Sequence, residues 1–440
     1  MLHYTIDRSP DAGAAGARLL DELGAWVGDC VREFADAPAT DCHDQGTYTT
    51  AWTPWVETHA DVMDFLRGQR DRIRDHFVKT GQWEHGYWTM QEAHHGTEHY
   101  ELFLGALWRL DPQDGETVAQ LVDAAEHLGN WVPSVPPWFD WETGLFRAMH
   151  FGIQGVWEDP GEAINTAEHF RCISISLLAL GMTGDPRYLA LARAHGRRWT
   201  DAILAGEALP VGLLPEGPVY ALAGETERMY RAFAGMAGVL DDAVECAENL
   251  LASDAVGALL RLWELTGEAD YRAAAERLLD VLATQLADPD AGSAADAIRD
   301  YRRMTGDTRY DAQVLAAAEA MSPWAIDTLS LEPFVRRPRP RGIGKRSDAP
   351  DWFEDDVPRR CGPIQLGLAA EITGDDRLAT AALDLARAHF ALARQAYPSG
   401  RDHGCAAGTI SAIARGHGRE NHAGMITAVL QPLLPVFGGI

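Results

Sequence analysis

The chain has 440 residues, 46% of them hydrophobic, with 38 Lys and Arg set against 65 Asp and Glu for a formal charge of −27. That length allows a large core, and no apolar run is long enough to span a bilayer. An acidic field of this size excludes nucleic acid and anionic membrane as expected partners.

The first 20 residues, MLHYTIDRSPDAGAAGARLL, lack a basic stretch followed by an apolar one, so no secretory signal is read there. Cys30, Cys42, Cys172, Cys246, Cys361 and Cys405 form no C-x-x-C pair. Both features predict a cytoplasmic protein with reduced thiols. Lys79 and Lys345 are the only lysines, so nearly all positive charge is arginine, the better fork for carboxylates.

In chain order, helices are expected around 11–37 and 56–79, followed by a Trp-rich loop over 80–92. Residues 104–128 read as a helix-turn-helix unit, and cleaner copies follow at 178–200, 259–282, 297–318 and 366–390. Each copy has an apolar helical stretch, a Thr-Gly step with an acid, and a second stretch with apolar spacings of three and four. Gly184, Gly267, Gly306 and Gly374 supply helix stops that tolerate positive φ, and Asp185, Asp307 and Asp375 cap the helices that follow. Helices around 405–415 and 420–436 complete the set.

Tight TG turns join the hairpins at one end. Long loops rich in Pro, Gly and Trp join them at the other, over 80–92, 130–164, 205–244, 287–293, 322–360 and 398–404. This asymmetry predicts an all-α fold, an (α/α)6 or (α/α)7 toroid forming one domain over 1–440, rather than an open solenoid. One mouth of such a ring is built from the long loops and can hold a site.

Helical rise gives a ruler. A position 12 to 18 residues before a TG turn lies about 20 Å from it, at the long-loop mouth. That places His95, Glu98 and His99 there, with Asn165, Glu168 and His169, and then Glu248, Asn249 and Asp254. Asp355, Asp356, Arg359, Arg360, Asp402 and His403 follow. Tyr301, four residues before its turn, reads as structural. The motif recurs as TEH at 97–99, AEH at 167–169 and AEN at 247–249. An acid in a first helical turn favours the helix dipole by about 0.3–1 kcal/mol, which accounts for part of each glutamate but not for its His or Asn neighbour.

His95, Glu98 and His99 also spell H-x-x-E-H, the order of inverted zinc proteases. Those enzymes need a mixed α/β frame, and the AEH and AEN copies lack the first histidine. No metal is therefore expected, with His95 and His99 the pair to test, and no cofactor is expected.

The loops add aromatic rings. Residues 129–146 bring Trp131, Trp138, Phe139 and Trp141 together with Asp140 and Glu142, and 82–91 add Trp83, Tyr87 and Trp88. Rigid aromatic faces beside carboxylates suit sugar rings; the plain alternative is that they cap the core. Arginines over 335–346 and at 358–360 form either a solvated loop or a grip on an anionic substrate. Cysteines near the mouth read as buried, with a thiol nucleophile as a minor option.

The TGD hairpins, the Asn/His mouth set and the Trp131–Trp141 loop resemble toroid-fold carbohydrate-active enzymes, and among them the uronan (glucuronan- or alginate-type) polysaccharide lyases. The likeness is architectural over most of the chain, and its motifs are short. It implies that Asn165, His169, His99 and Asn249 neutralise a uronate carboxylate. It implies further that His403, Tyr220 or Tyr230 moves the C5 proton, and that Arg359 or Arg360 steadies the anion. Glu98, Glu168, Trp138, Asp140 and Trp141 complete the substrate-binding set. The chain departs from the pattern in having no export signal, and spacing does not tell Tyr220 from Tyr230.

The leading expectation is β-elimination on a uronate-containing oligosaccharide or small glycoside, where donors must neutralise the carboxylate. The alternatives are glycoside hydrolysis by a carboxyl pair among Glu98, Glu168, Glu248, Asp140, Asp355 and Asp402, a His-based epimerase using His169 and His403, and a non-catalytic scaffold. Oligomeric state is left open.

Overall fold

The computed structural model describes residues 2–35, 39, 56, 59–84, 86–159, 161–221, 223–224, 243–288, 291–331 and 362–396. These are mostly helical, as the hairpin pattern predicts. No described helix is long and apolar enough to cross a membrane. The chain divides into two compact units, Leu66–Leu278 with Pro38–Thr49, and Met1–Ala37 with Thr50–Phe65 and Leu279–Ile440.

The helices are α1 (Ala12–Phe34), α2 (Ala60–Lys79), α3 (Ala93–Glu98), α4 (Gly105–Leu110), α5 (Gly115–Leu128), α6 (Phe170–Thr183) and α7 (Pro186–Ala205). They continue as α8 (Ala243–Ala252), α9 (Ala255–Thr266), α10 (Ala269–Leu282), α11 (Gly292–Thr305), α12 (Asp311–Met321), α13 (Pro363–Thr373) and α14 (Asp376–Ala396).

One turn chemistry recurs at α6–α7, α9–α10, α11–α12 and α13–α14. Gly184, Gly267, Gly306 and Gly374 sit at φ of 71, 72, 70 and 69°, the left-handed region where a Cβ is strained. The threonine before each glycine donates to the carbonyl four residues back, at 2.7, 2.6, 2.7 and 2.8 Å. The same hydroxyl accepts the amide two residues ahead, at 3.1 or 3.2 Å. Asp185 and Asp375 then cap the next helix through amides at 2.9 and 2.8 Å. The expected cap at Asp307 is corrected: it accepts the Arg309 amide at 3.0 Å in a turn that precedes α12, whose first turn follows Tyr310. Each turn therefore pairs backbone groups at the end of the first helix and in the segment that follows it. The degenerate copy keeps only the cap, with Asp114 accepting from the amides of Glu116 and Thr117. Tyr301 is buried and donates to Asp307 at 3.1 Å, the structural role its position predicts.

In the unit that begins at Met1, β1 (Leu2–Thr5) pairs antiparallel with β11 (Thr328–Leu331). There α1 packs on α14 through an edge-on Trp26–Phe390 contact and an Arg387–Glu22 ion pair at 2.8 Å.

The loops of the other unit hold short antiparallel strands that the composition does not announce. β2 (Trp83–Glu84) pairs with β3 (Tyr87–Trp88), and β5 (Phe139–Asp140) with β6 (Leu145–Phe146). β9 (Gly212–Leu214) pairs with β10 (Gly217–Val219). β7 (His150–Gly152) lies between β4 (Gln91–Glu92) and β8 (Gly155–Val156). The loop aromatics close the core here. Trp138 is fully buried, donates to the Gly152 carbonyl at 2.8 Å and packs on Tyr87, His127 and Phe151. Its expected place on a sugar-binding face is thus corrected: hydrophobic burial holds the ring inside.

The helix starts also need correction. α3, a π-helical segment His99–Leu104 and α4 run on without a break, so Glu98 and His99 lie mid-helix. Glu168 does stand in a first turn, that of the 3-10 segment Ala167–His169 leading into α6. Glu248 lies inside α8, which is separated from α9 by Ser253 and Asp254.

Candidate functional site

Within Leu66–Leu278, one buried charged cluster joins α3 and its π-helical extension, the start of α6, and the α8–α9 break. Arg171 on α6 is 1% exposed and Glu98 is fully buried. One guanidinium nitrogen of Arg171 stands 3.0 Å from Glu101, and the other 3.6 Å from Glu98. The second also reaches the Ala252 carbonyl at 3.5 Å, at the negative end of α8. Glu168, one turn before Arg171, adds a third carboxylate, and its buried Oε2 has no hydrogen-bond partner.

The cluster continues toward solvent. Asp254 accepts from Ser174 at 2.8 Å and from Arg261, and Arg261 also donates to Ser174 at 2.9 Å. Side-chain exposure rises from 28% at Asp254 to 39% at Arg261, so the polar path runs from a dry end at Glu98 to an open one. Asp254 adopts φ 61°, a conformation uncommon outside glycine. A Cβ at Gly257 would force the Asp254 carboxylate out of this position.

Burial pushes Glu101 up to about 7, against the pull of Arg171 and with Asp254 adding to the rise. Burial also works against the charge of Arg171, but Glu101, Glu98 and Glu168 outweigh it and hold the guanidinium protonated. The cluster thus contains an acid that titrates near neutral pH beside a fixed cation, the arrangement general acid–base chemistry needs. A π-segment, rare in helices and frequent at functional sites, carries Glu101.

The other expected residues are placed as follows. Asn165 is fully buried and staples β6, accepting from the Phe146 amide at 2.9 Å and donating to its carbonyl at 2.8 Å, while its backbone pairs with Leu213. His169 Nδ1 accepts the Thr166 amide at 3.0 Å, so Nε2 bears the proton toward the Ala148 carbonyl at 3.3 Å. Both ring nitrogens are used inside the fold, and burial drives His169 down to about 4. The donors expected to meet a uronate at Asn165 and His169 are engaged by backbone.

His99 is buried against Trp83 and Phe103. Asp140 shapes the β5–β6 turn, accepting from the Glu142 amide and the Thr143 hydroxyl, each at 2.9 Å. Trp141 is 44% exposed and Tyr220 39%. Asn249 is half-buried on α8. Cys172 is buried, and burial pushes its thiol up, which makes it inert as a nucleophile. Tyr230, Arg359, Arg360, Asp355, Asp356, Asp402 and His403, and the side chain of His95, lie outside the described residues. Among the described residues no group of three or more His, Cys, Asp or Glu is placed to hold a metal ion.

The sequence reading did not single out Glu101, Arg171, Ser174 and Arg261. A signal was there: TEHYE at 97–101 and AEHFR at 167–171 carry opposite charges at the same repeat position. A second missed pair is His150 and Glu162, both buried, with Nδ1 2.8 Å from Oε2, a carboxylate-oriented imidazole. No family model, curated protein or solved structure matches the chain.

Proposed function

We propose that this protein is an acid–base hydrolase of the carbohydrate-active kind, with Glu101 as the proton-transfer group. The observation that carries the reading is the elevated Glu101 carboxyl, held by Arg171 among Glu98 and Glu168. Two or more carboxyls gathered around one guanidinium supply the groups that two-carboxylate glycoside chemistry uses. Environments that push neighbouring carboxyls apart in acidity divide acid and base roles between them. The saccharide substrate class rests on the resemblance of the hairpin repeat to toroid-fold enzymes. Closure of six or seven hairpins into an (α/α) toroid is part of the same proposal, supported by the four like TG turns and the loop asymmetry. A cytoplasmic setting goes with it, supported by the free buried thiol of Cys172.

β-Elimination on a uronate is the second reading. Among the described residues it retains the exposed Tyr220 as a proton-transfer group. One experiment separates the two. The protein is incubated with neutral and uronate oligosaccharides, following both new reducing ends and the ultraviolet absorbance of an unsaturated uronate. Reducing ends without that absorbance are expected. Absorbance from a uronate substrate would replace hydrolysis with elimination, and neither signal on any substrate would remove the saccharide reading.

A further inference from the structure

Asp254 departs from its local rules twice. It stands at the N-cap of α9 yet gives that helix no side-chain hydrogen bond, although aspartate is among the strongest caps. Its φ of 61° lies in the left-handed region, which few residues other than glycine adopt. Both are local costs, and such costs cluster where a residue is held for function.

The carboxylate is held from α6 and α9 instead. Ser174 and Arg261 both donate to Oδ2, Ser174 at 2.8 Å. Oδ1 takes no hydrogen bond from a described residue and, unlike Glu168 Oε2, is not shut off from solvent. Arg171, which holds Glu101, and Ser174, which holds Asp254, are three residues apart and so share one face of α6. Glu101 and Asp254 are neighbours on that face, near enough that Asp254 adds to the rise of the Glu101 carboxyl. Among the carboxylates of the cluster, Asp254 joins that nearness to water. Its side chain is 28% exposed, against 7% for Glu101 and 0% for Glu98, and Glu168 is buried.

We propose that Asp254 is the base of the Glu101 site, taking a proton from the attacking water at Oδ1. The assignment rests on the hydrolysis reading. As the glycosidic C–O bond breaks, Glu101 gives its proton to the leaving oxygen. The water oxygen bonds to the sugar carbon and its proton passes to Asp254, which releases it to solvent while Glu101 regains one. Ser174 and Arg261 are positioning residues, which hold Oδ2 and leave Oδ1 to the water.

The test uses the oligosaccharide from which the native chain releases reducing ends. Asp254→Asn is expected to lower kcat by about 10²–10⁴-fold. It should also remove the low-pH limb of the kcat/KM profile, which a merely structural role would leave in place. Gly257→Ala is the second variant. Its Cβ would overlap Oδ1, while alanine favours the helix. Its kcat is expected to fall by about 10²-fold with the melting temperature unchanged or raised, which keeps the test decisive if Asp254→Asn does not fold. Native-like kcat in folded Asp254→Asn would overturn this assignment and leave the hydrolysis reading standing, as would native-like kcat in Gly257→Ala where Asp254→Asn does not fold. No release of reducing ends by the native chain would remove that reading, and this assignment with it.

Discussion

Glu101 Oε2 stands 3.0 Å from Arg171 Nη1, yet the Glu101 carboxyl is pushed up to about 7. A single close cation ordinarily lowers a carboxyl. Here burial dominates, and the other carboxylates around Arg171 share its charge.

Glu101→Gln should lower turnover on a responsive substrate by about 10²–10⁴-fold if Glu101 moves the proton. Its stability effect has a definite pH dependence. A carboxyl raised on folding contributes stability in full below its unfolded value of 4.5, and that contribution is lost as pH rises through about 7. Glutamine mimics the protonated form at every pH. The variant's melting temperature should thus gain on the native protein between pH 5 and pH 8. A constant difference over that range would contradict the elevated carboxyl.

Arg171→Met should be among the most damaging changes in this unit. It strands Glu98 and Glu101 in a dry site, a loss of about 3–5 kcal/mol, read by urea unfolding. Adding Glu98→Gln to Arg171→Met should recover part of the loss. A double variant no more stable than the single one would show that Glu98 is not charged against Arg171.

His169 and His195 are both fully buried and sit 6.1 Å apart. Burial drives His169 down to about 4; burial, and then the neighbouring His169, drives His195 down to about 3. A histidine lowered on folding contributes stability in full above its unfolded value of 6.5. That contribution is lost as pH falls toward the folded value. Denaturant midpoints should therefore fall steadily from pH 7 to pH 4. His169→Asn should flatten that slope and destabilise at pH 7 by about 1–3 kcal/mol, through backbone groups left without His169.

Gly267→Ala probes the repeated turn. The left-handed φ of 72° disfavours any Cβ by about 1–2 kcal/mol, and the open space around the position adds no clash. Thermal unfolding should register that loss alone. Trp138→Phe should cost more, because the Gly152 carbonyl loses its indole donor inside the core.

The hairpins and their TG turns were legible because their chemistry is local. A threonine followed by a glycine suffices to end one helix and turn the chain toward the next, whatever packs around them. Helical rise likewise brought out residues 98, 168 and 254 as candidates for one region. What each side chain does there was decided by tertiary structure. Asn165 and His169 carry a composition suited to a substrate, but Phe146, Thr166 and Ala148 lie near enough in space to take up their polar atoms. Glu101 and Arg171 look like ordinary surface charges until α6 packs against the π-segment and removes water from both. Burial, which no single repeat contains, is the physical difference between a charge that rests in solvent and one that titrates near neutral pH.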